Sequence, residues 1–224
     1  MAGGWRYEIK LPCPAHRLSQ ARSWVRTHPA GFNVAYPPRW VSSLYLDTRQ
    51  LNNLNDHLAG VYQRQKLRLR WYGDQWADTP PVIELKRRVN QLGSKRQYPL
   101  PRPLDLTAPW PQVLAAIRAQ VELDWRVLLQ TIEQPTLFTG YQREYYVTPD
   151  GNIRITLDYD QVAYDQRLTP RFSPRIPLPI TDMVVIEIKT SQHHARRLHE
   201  IATWFPVRCQ RNSKYINGLL KNLM

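Results

Sequence analysis

Lys66-Leu67-Arg68-Leu69-Arg70 and Val82-Ile83-Glu84-Leu85-Lys86 alternate charged and apolar side chains with a period of two. This is the period of a β-strand, so each stretch places its charges on one face and its apolar side chains on the other. Turn residues, Gly73-Asp74 and Pro80-Pro81, lie between the two stretches. The pair therefore predicts antiparallel strands with one apolar face to cover and one charged face.

Four more stretches repeat the alternation, and most of their charges are basic. They are Arg6-Tyr7-Glu8-Ile9-Lys10, Tyr141-Gln142-Arg143, Arg154-Ile155-Thr156-Leu157-Asp158 and Ile186-Glu187-Ile188-Lys189. One such strand is ordinary in a sheet with a wet face, but six are not, and if the sheet closes, their charged faces line a common basic lumen. Cations in a confined lumen repel one another unless an anion is bound there. Phosphate groups suit such a lumen, because Arg binds them bidentately and Lys offers a point charge.

The remaining segments predict strands with helices interspersed, and the hairpins favour antiparallel pairing. The basic faces then either point at bulk water or face one another across a closed antiparallel β-barrel, an α+β fold with helices packed outside it. The charged stretches belong to strands predicted at 61–72, 81–89, 136–147, 152–159 and 183–189, with a further strand at 41–47. Helices are predicted at 14–28, 112–132, 192–204 and 213–223, and a turn or short helix at 51–58. Proline-rich segments at 29–40, 99–112 and 169–181 are predicted as loops. We expect a single domain over residues 1–224.

Composition points to an anionic partner. The chain has 224 residues and a net charge of 31 − 18 = +13, which favours nucleic acid, a membrane surface or a phosphate compound. No run of 18 apolar residues is present, and the first residues lack the apolar core of a signal peptide, so we expect a cytoplasmic protein without a transmembrane segment. Cys13 and Cys209 are too few for a disulfide framework.

Four carboxylates share the alternation with the basic residues: Glu8, Glu84, Asp158 and Glu187. A few carboxylates among many cations can hold Mg²⁺ or Mn²⁺, because these ions take oxygen ligands from protein and phosphate together. No Ser, Cys or His stands in a recognisable activated arrangement, which favours direct phosphoryl transfer over a covalent intermediate.

These residues resemble the VTC domain of the triphosphate tunnel metalloenzymes from about residue 5 to the C-terminus. The resemblance implies an antiparallel barrel whose tunnel binds triphosphate or polyphosphate. It also implies a polyphosphate polymerase that extends a chain with the γ-phosphate of ATP and uses a divalent metal, typically manganese. The matching motifs, in order, are Arg6-x-Glu8-x-Lys10, Tyr45-Leu46-Asp47-Thr48, Lys66-x-Arg68-x-Arg70, Glu84-x-Lys86, Lys95-Arg96, Tyr141-x-Arg143, Arg154-x-Thr156-x-Asp158, Glu187-x-Lys189 and Arg211-x-Ser213-Lys214-Tyr215.

The resemblance also implies roles for individual residues. Phosphate contacts are implied for Lys10, Arg68, Arg70, Lys86, Lys95, Arg143 and Arg154, and all of these except Lys95 are assigned to catalysis. Glu187 is implied as the metal ligand, and Arg211 and Lys214 as basic residues near the end of the tunnel. Alignment with these positions adds Lys66 and Lys189 as phosphate contacts, and Glu8, Glu84 and Asp158 as further ligands of Mn²⁺ or Mg²⁺. CYTH relatives begin with Glu-x-Glu-x-Lys, and Arg6 in the first Glu position favours the VTC branch.

Three functions fit this sequence. The first is a polyphosphate polymerase that uses ATP, and the second is a hydrolase of tripolyphosphate or nucleoside triphosphates. The third is a non-catalytic module that binds polyphosphate or an inositol polyphosphate. Nucleic acid is not favoured as a partner, because the basic residues alternate inward and no RNA-binding signature is present. Some eukaryotic VTC proteins carry membrane helices that this chain lacks, so any coupling to export would need a membrane protein as partner.

Overall fold

Eight strands close into one antiparallel barrel, in the order β1-β5-β4-β3-β2-β6-β7-β8. The structure, a computed structural model, describes residues 3–73, 77–90, 92–180 and 182–220. The closed antiparallel barrel that the resemblance implied is confirmed. The strands are β1 (Gly3–Pro14), β2 (Asn33–Asp47), β3 (Gln63–Tyr72), β4 (Val82–Val89), β5 (Leu92–Pro99), β6 (Gln134–Val147), β7 (Ile153–Asp165) and β8 (Met183–Ser191).

Six α-helices occur in the described ranges. Short 3₁₀ helices, Ala15–Arg17 and Gln192–His194, precede the first and the fifth of them. None of the helices in the described ranges is long and apolar enough to cross a membrane. The helices are α1 (Leu18–Arg26), α2 (Asn52–Leu58), α3 (Trp110–Ala119), α4 (Leu123–Thr131), α5 (Ala195–Thr203) and α6 (Lys214–Leu220).

The apolar face of each strand is covered by helices. Leu67 and Leu69 of β3 are fully buried in a cluster with Val113 and Ile117 of α3 and with residues of α4. A second cluster joins the outward faces of β1, β7 and β8 to α1 and α5. Burial of these side chains supplies most of the driving force for closing the sheet, since apolar area removed from water stabilises the fold. The charged side chains are thereby left on the inner face.

Asp47 holds one end of the barrel together. Its carboxylate, fully buried at the end of β2, accepts hydrogen bonds from the backbone N–H groups of Asn53 and Leu54 at 3.0 and 3.1 Å, at the start of α2. It also accepts one from the hydroxyl of Tyr215 in α6 at 2.5 Å. The Tyr215 ring stacks on Tyr45, with centroids 5.0 Å apart. This connection fixes α6, and with it the segment before the helix, against the barrel.

Several elements differ from the prediction for physical reasons. The predicted helix at 112–132 is two helices, α3 and α4, separated by residues 120–122. The loop predicted at 29–40 is largely strand, because β2 begins at Asn33 and pairs with β6 beyond the rest of the barrel. Pro37 and Pro38 fall where this pairing changes register, which is where a strand tolerates proline. The helix predicted at 213–223 is α6, and residues 221–223 lie outside the described residues.

Strand β5 was not predicted. Its sequence, Leu-Gly-Ser-Lys-Arg-Gln-Tyr-Pro, shows no alternation of charge with hydrocarbon. It pairs with β4 on one side and with β1 on the other, so its backbone completes the barrel. Outside the barrel, the guanidinium of Arg96 lies 5.0 Å from the Trp125 ring centroid. The strand is therefore determined by its neighbours and not by its own pattern.

Gly140 in β6 has no room for a larger side chain. A Cβ atom there would lie 2.4 Å from the nearest indole carbon of Trp40 on the neighbouring strand. Overpacking of this kind costs about 1–3 kcal/mol. We expect Gly140→Ala to lower the free energy of unfolding by that amount in urea titrations. The control is Gly93→Ala in β5, where the nearest atoms would lie at 3.9 Å; an equal loss in both variants would contradict the packing argument.

Candidate functional site

Cross-strand register brings the charged residues that the sequence singled out into one lumen. Lys10 lies opposite Glu187, Arg68 opposite Glu84, and Arg143 opposite Asp158. Lys86 of β4 has Lys66 on one side and Lys95 on the other. The charges that alternate along single strands therefore form continuous rows across the inner wall of the barrel.

Glu84 anchors the first group of cations. Its side chain is fully buried, and one carboxylate oxygen accepts bonds from Arg68 at 2.6 and 2.9 Å. The other oxygen accepts bonds from Lys95 at 3.1 Å and from the amide of Gln97 at 2.8 Å, and Arg70 lies within 3.5 Å. Burial alone would raise the pKa of Glu84, but Arg68, Arg70 and Lys95 hold it well below its ordinary value. The carboxylate is therefore ionised and fixes the two arginines in place.

Asp158 anchors the second group. It is fully buried and forms a two-pronged ion pair with the guanidinium of Arg143, at 2.5 and 2.6 Å. Lys214, the first residue of α6, bonds the same carboxylate. Arg143 also reaches Glu187 at 3.3 Å, so one guanidinium joins two acids. Arg143 and Lys214 keep the pKa of Asp158 below its ordinary value despite burial.

Lys10 joins the remaining two acids. Its ammonium lies 3.2 Å from a carboxylate oxygen of Glu8 and 3.2 Å from one of Glu187. Lys86 bonds Glu8 at 2.9 Å, and Lys189 bonds Glu187. Burial opposes the charge on Lys10, but Glu187 and Glu8 together raise its pKa above the ordinary value. The ammonium also donates to the backbone carbonyl of Asn212, before α6, at 2.8 Å.

Two tyrosines belong to the site, although neither was among the predicted site residues. The hydroxyl of Tyr141 accepts a bond from Arg70 at 2.9 Å, and that of Tyr45 accepts one from Arg68 at 3.2 Å. The Lys214 ammonium lies 4.2 Å from the Tyr141 ring centroid. The signal was the spacing Tyr141-x-Arg143, because residues two apart on a strand share a face.

One end of the lumen, where β3 begins and β4 ends, carries cations without carboxylate partners. Lys66 donates to the hydroxyl of Ser213 at 2.7 Å. Arg64 lies opposite Arg88, and the Nε atom of Arg64 is buried without a hydrogen-bond partner among the described residues. In the described ranges no carboxylate lies within 4.0 Å of these cations. We call this region the basic end; it comprises Arg64, Lys66, Arg88 and Arg211.

Two cations of the basic end, Lys66 and Arg64, have lowered pKa values. Burial lowers the pKa of Lys66 well below its ordinary value, and the cations Lys10 and Lys86 lower it further. Arg88 and Arg211 add to the effect of burial in lowering the pKa of Arg64. Neither Arg64 nor Arg88 was among the predicted site residues. Both continue the alternation of their strands, in Arg64-x-Lys66 and Lys86-x-Arg88, so the signal was present in the sequence.

The other predicted phosphate contacts lie at the edges of the lumen. Arg154 is exposed and lies beside Lys189 on the neighbouring strand. Arg211 is exposed at the basic end. A cavity of about 290 Å³ adjoins Lys214 and extends between β6, β7 and α6, where Thr139 and Gln161 line it. All the sequence-predicted basic residues therefore lie in or beside the lumen.

The carboxylates allow a test of whether the lumen suits a divalent metal. No group of three or more His, Cys, Asp or Glu residues that could hold an ion occurs in the ranges that the structure describes. Mg²⁺ is usually bound through one or two carboxylates together with substrate phosphates. Glu8 and Glu187, both in contact with the ammonium of Lys10, fit that mode. Glu84 and Asp158 have their oxygens in bonds to arginine and lysine.

The barrel, its inward charges and its outer helices define a protein of the triphosphate tunnel fold. One similar structure is that of a candidate adenylate cyclase from Vibrio parahaemolyticus, with 13% identity and a TM-score of 0.54 over 95% of this chain and 96% of that chain. Another is that of a candidate adenylate cyclase from Bacillus halodurans, with 14% identity and a TM-score of 0.54 over 95% of this chain and 96% of that chain. A protein from Pyrococcus horikoshii is also similar (12%, 0.51, 97% and 99%). At these identities the likeness concerns the fold alone.

The family follows from the sequence itself. The VTC domain family model matches residues 6–222, and the chain belongs to that family. No curated protein matches the chain in sequence. Family and lumen together support a function involving triphosphate or polyphosphate groups.

Acid should weaken the fold through Glu84. Because its pKa is lowered in the folded protein, Glu84 contributes stability that is present above the ordinary carboxyl pKa near 4.3 and is lost as the pH falls below it. We expect the unfolding free energy to fall with acidification in that window, by up to about 1.4 kcal/mol per pH unit from this group. Glu84→Gln should make the fall shallower in urea titrations from pH 7 to pH 3. Exposed Glu200→Gln should leave the slope unchanged; an unchanged slope in Glu84→Gln would disprove the assignment.

Lys66 should oppose stability while favouring anion binding. Replacing it by Gln removes repulsion from Lys86 and Arg64, so the free protein should gain about 0.2–1 kcal/mol, the size of a cross-strand charge effect. Binding of tripolyphosphate should weaken by roughly 1.5–3 kcal/mol, the value of a hydrogen bond to a charged group. Urea unfolding with and without tripolyphosphate measures both effects. Arg87→Gln, on the outer face of β4, is the control. A Lys66→Gln protein that is less stable and binds normally would refute this interpretation.

Proposed function

We propose that this protein transfers the γ-phosphoryl group of ATP to the end of a growing inorganic polyphosphate chain, in a reaction that uses Mn²⁺ or Mg²⁺. The observation that carries the proposal is the charge balance of the lumen. Glu8, Glu84, Asp158 and Glu187 are all bound to cations, while the basic end, in the described ranges, keeps a surplus of cations with no carboxylate in contact. An extended polyanion would neutralise that surplus, and membership of the VTC family supports phosphate as its chemistry.

The arginines and lysines act by position and charge. A terminal oxygen of the acceptor chain attacks the γ-phosphorus of ATP, a new P–O–P link forms, and the bond to the β-phosphate oxygen breaks to release ADP. Arg68, Arg70 and Arg143, fixed by Glu84, Tyr141 and Asp158, hold the phosphoryl oxygens and neutralise the charge on them. Because the guanidinium groups are oriented before the substrate binds, little reorganisation is needed in the transition state.

Glu187 and Glu8 are the residues that would hold the metal. When bound, a divalent ion supplies further neutralisation of charge on the phosphoryl oxygens. Lys10 bridges these two acids in the free protein, and in this proposal its ammonium contacts a phosphate oxygen of the substrate. In this proposal Glu84 and Asp158, the other two predicted metal ligands, position arginines.

Hydrolysis of tripolyphosphate or ATP uses the same residues with water as the attacking group. The deciding experiment incubates the protein with ATP and Mn²⁺ and resolves polyphosphate on a gel while free phosphate is measured in parallel. We expect chain growth with ADP release. Free phosphate without chains would establish the hydrolase, and metal-independent binding without turnover would establish a binding module.

Glu187 separates catalysis from binding. Glu187→Gln keeps the size of the side chain but removes the charge that attracts the metal, so we expect metal-dependent turnover of ATP to be abolished. Tripolyphosphate affinity should be retained or increased, because a competing negative charge is gone. The control is Glu144→Gln, which also breaks an ion pair of a buried acid, here with Arg22 on the outside of the barrel. Full activity in Glu187→Gln would show that the metal site is assigned to the wrong residue.

A further inference from the structure

The end of the lumen opposite to the basic end is aromatic. It lies where β3 and β6 end, and we call it the aromatic mouth. The Tyr36 and Tyr145 rings meet edge to face with centroids 5.7 Å apart. The mouth comprises Tyr36, Arg39, Tyr72 and Tyr145.

One guanidinium lies among all three rings. The Cζ atom of Arg39 is 4.4 Å from the ring centroid of Tyr72, 4.9 Å from that of Tyr145 and 5.9 Å from that of Tyr36. Its Nε also donates to the hydroxyl of Tyr145 at 3.0 Å. A planar guanidinium stacked with tyrosines is a surface on which another flat π-system can stack.

The mouth is accessible from solvent. Tyr36 is 56% exposed, a large fraction for an aromatic side chain, and Arg39 is exposed as well. The extension of β2 that carries them pairs only with β6. The exposed ring of Tyr36 therefore has no role in packing the barrel.

The aromatic mouth continues directly from the arginines that we assign to phosphate. Tyr72 follows Arg70 by two residues on β3, and Tyr145 follows Arg143 by two on β6, so each pair shares the inner face. The Arg70 guanidinium carbon lies 5.9 Å from the Tyr72 ring centroid. Two strand residues span about 7 Å, a gap of the order that a ribose bridges between phosphate and base.

We propose that the aromatic mouth is a nucleobase platform. A nucleoside triphosphate binds with its phosphates on the lumenal arginines and its base stacked at the mouth. This inference rests on the proposed function, and it adds the residues that distinguish ATP from an inorganic triphosphate. Stacking uses the face of a base and tolerates any base, so GTP should bind within a few fold of ATP.

The test compares ATP with tripolyphosphate by calorimetric titration of the 224-residue chain in EDTA, where metal-dependent turnover is prevented. Stacking on an aromatic side chain contributes about 1–3 kcal/mol, or about 5- to 150-fold in affinity. We expect Tyr36→Ala to weaken ATP by a factor in that range and to leave tripolyphosphate unchanged. Arg39→Lys, which keeps the charge but loses the planar group, should act in the same direction, and Tyr36→Phe should retain the wild-type preference.

The control is Tyr62→Ala, since Tyr62 is equally exposed (57%) but lies away from the aromatic mouth, just before β3. It should change neither affinity. Equal losses of ATP and tripolyphosphate, or no loss of ATP in both Tyr36→Ala and Arg39→Lys, would overturn the platform. Failure of the proposed function has a different signature, because wild-type protein would then form no polyphosphate chains from ATP and Mn²⁺ in the gel assay, whatever its relative affinity for ATP and tripolyphosphate.

Discussion

The structure depends on one constraint. When eight strands close into a barrel, every second side chain points into a narrow interior. In this chain many of those side chains are charged, and a buried charge is costly unless it is paired. Glu84 shows how the requirement is met, since its fully buried carboxylate has bonds to Arg68, Lys95 and Gln97. Such pairs lower the free-energy cost of the charged inner face, and the sheet can then close with its apolar outer face buried by helices.

In the middle of the lumen the acids and cations named above are paired, whereas at the basic end, in the part of the chain that the structure describes, the cations have no acid in contact. The pairs stabilise the fold, and the unpaired cations are available to bind an anion. Around Asp158 and Glu187 the acids orient arginines and lysines, so those cations are fixed in the free protein. At the basic end burial lowers the pKa values of Lys66 and Arg64, and repulsion from neighbouring cations lowers them further. A site that binds a polyanion must keep some cations unneutralised, and it therefore lowers the stability of the free fold.

The sequence could predict the faces of the strands but not the partners across them. Alternation identifies the inward residues of β3 and β4, because one face of each strand must be apolar. The same rule also places Arg64 and Arg88 on the inner face. It cannot show that Glu84 meets Lys95, since that contact depends on β5, whose own residues have no alternation. The place of Tyr215 depends likewise on a bond to Asp47, 168 residues away in the chain. Local patterns specify a strand, while register and distant contacts assemble the site.

The two ends of the lumen differ in chemistry, and the difference would give the tunnel a direction. Stacking at the aromatic mouth favours the end of a substrate that carries a base, while the cations of the basic end favour a ligand that is phosphate throughout. From Arg70 to Arg64 the inner face of β3 extends over about 20 Å, longer than a chain of three phosphate groups. A hydrolase of triphosphates gains little from so long a row of cations. In the proposed arrangement ATP is bound from the aromatic mouth and the growing chain lies toward the basic end, so donor and acceptor meet at the arginines between them.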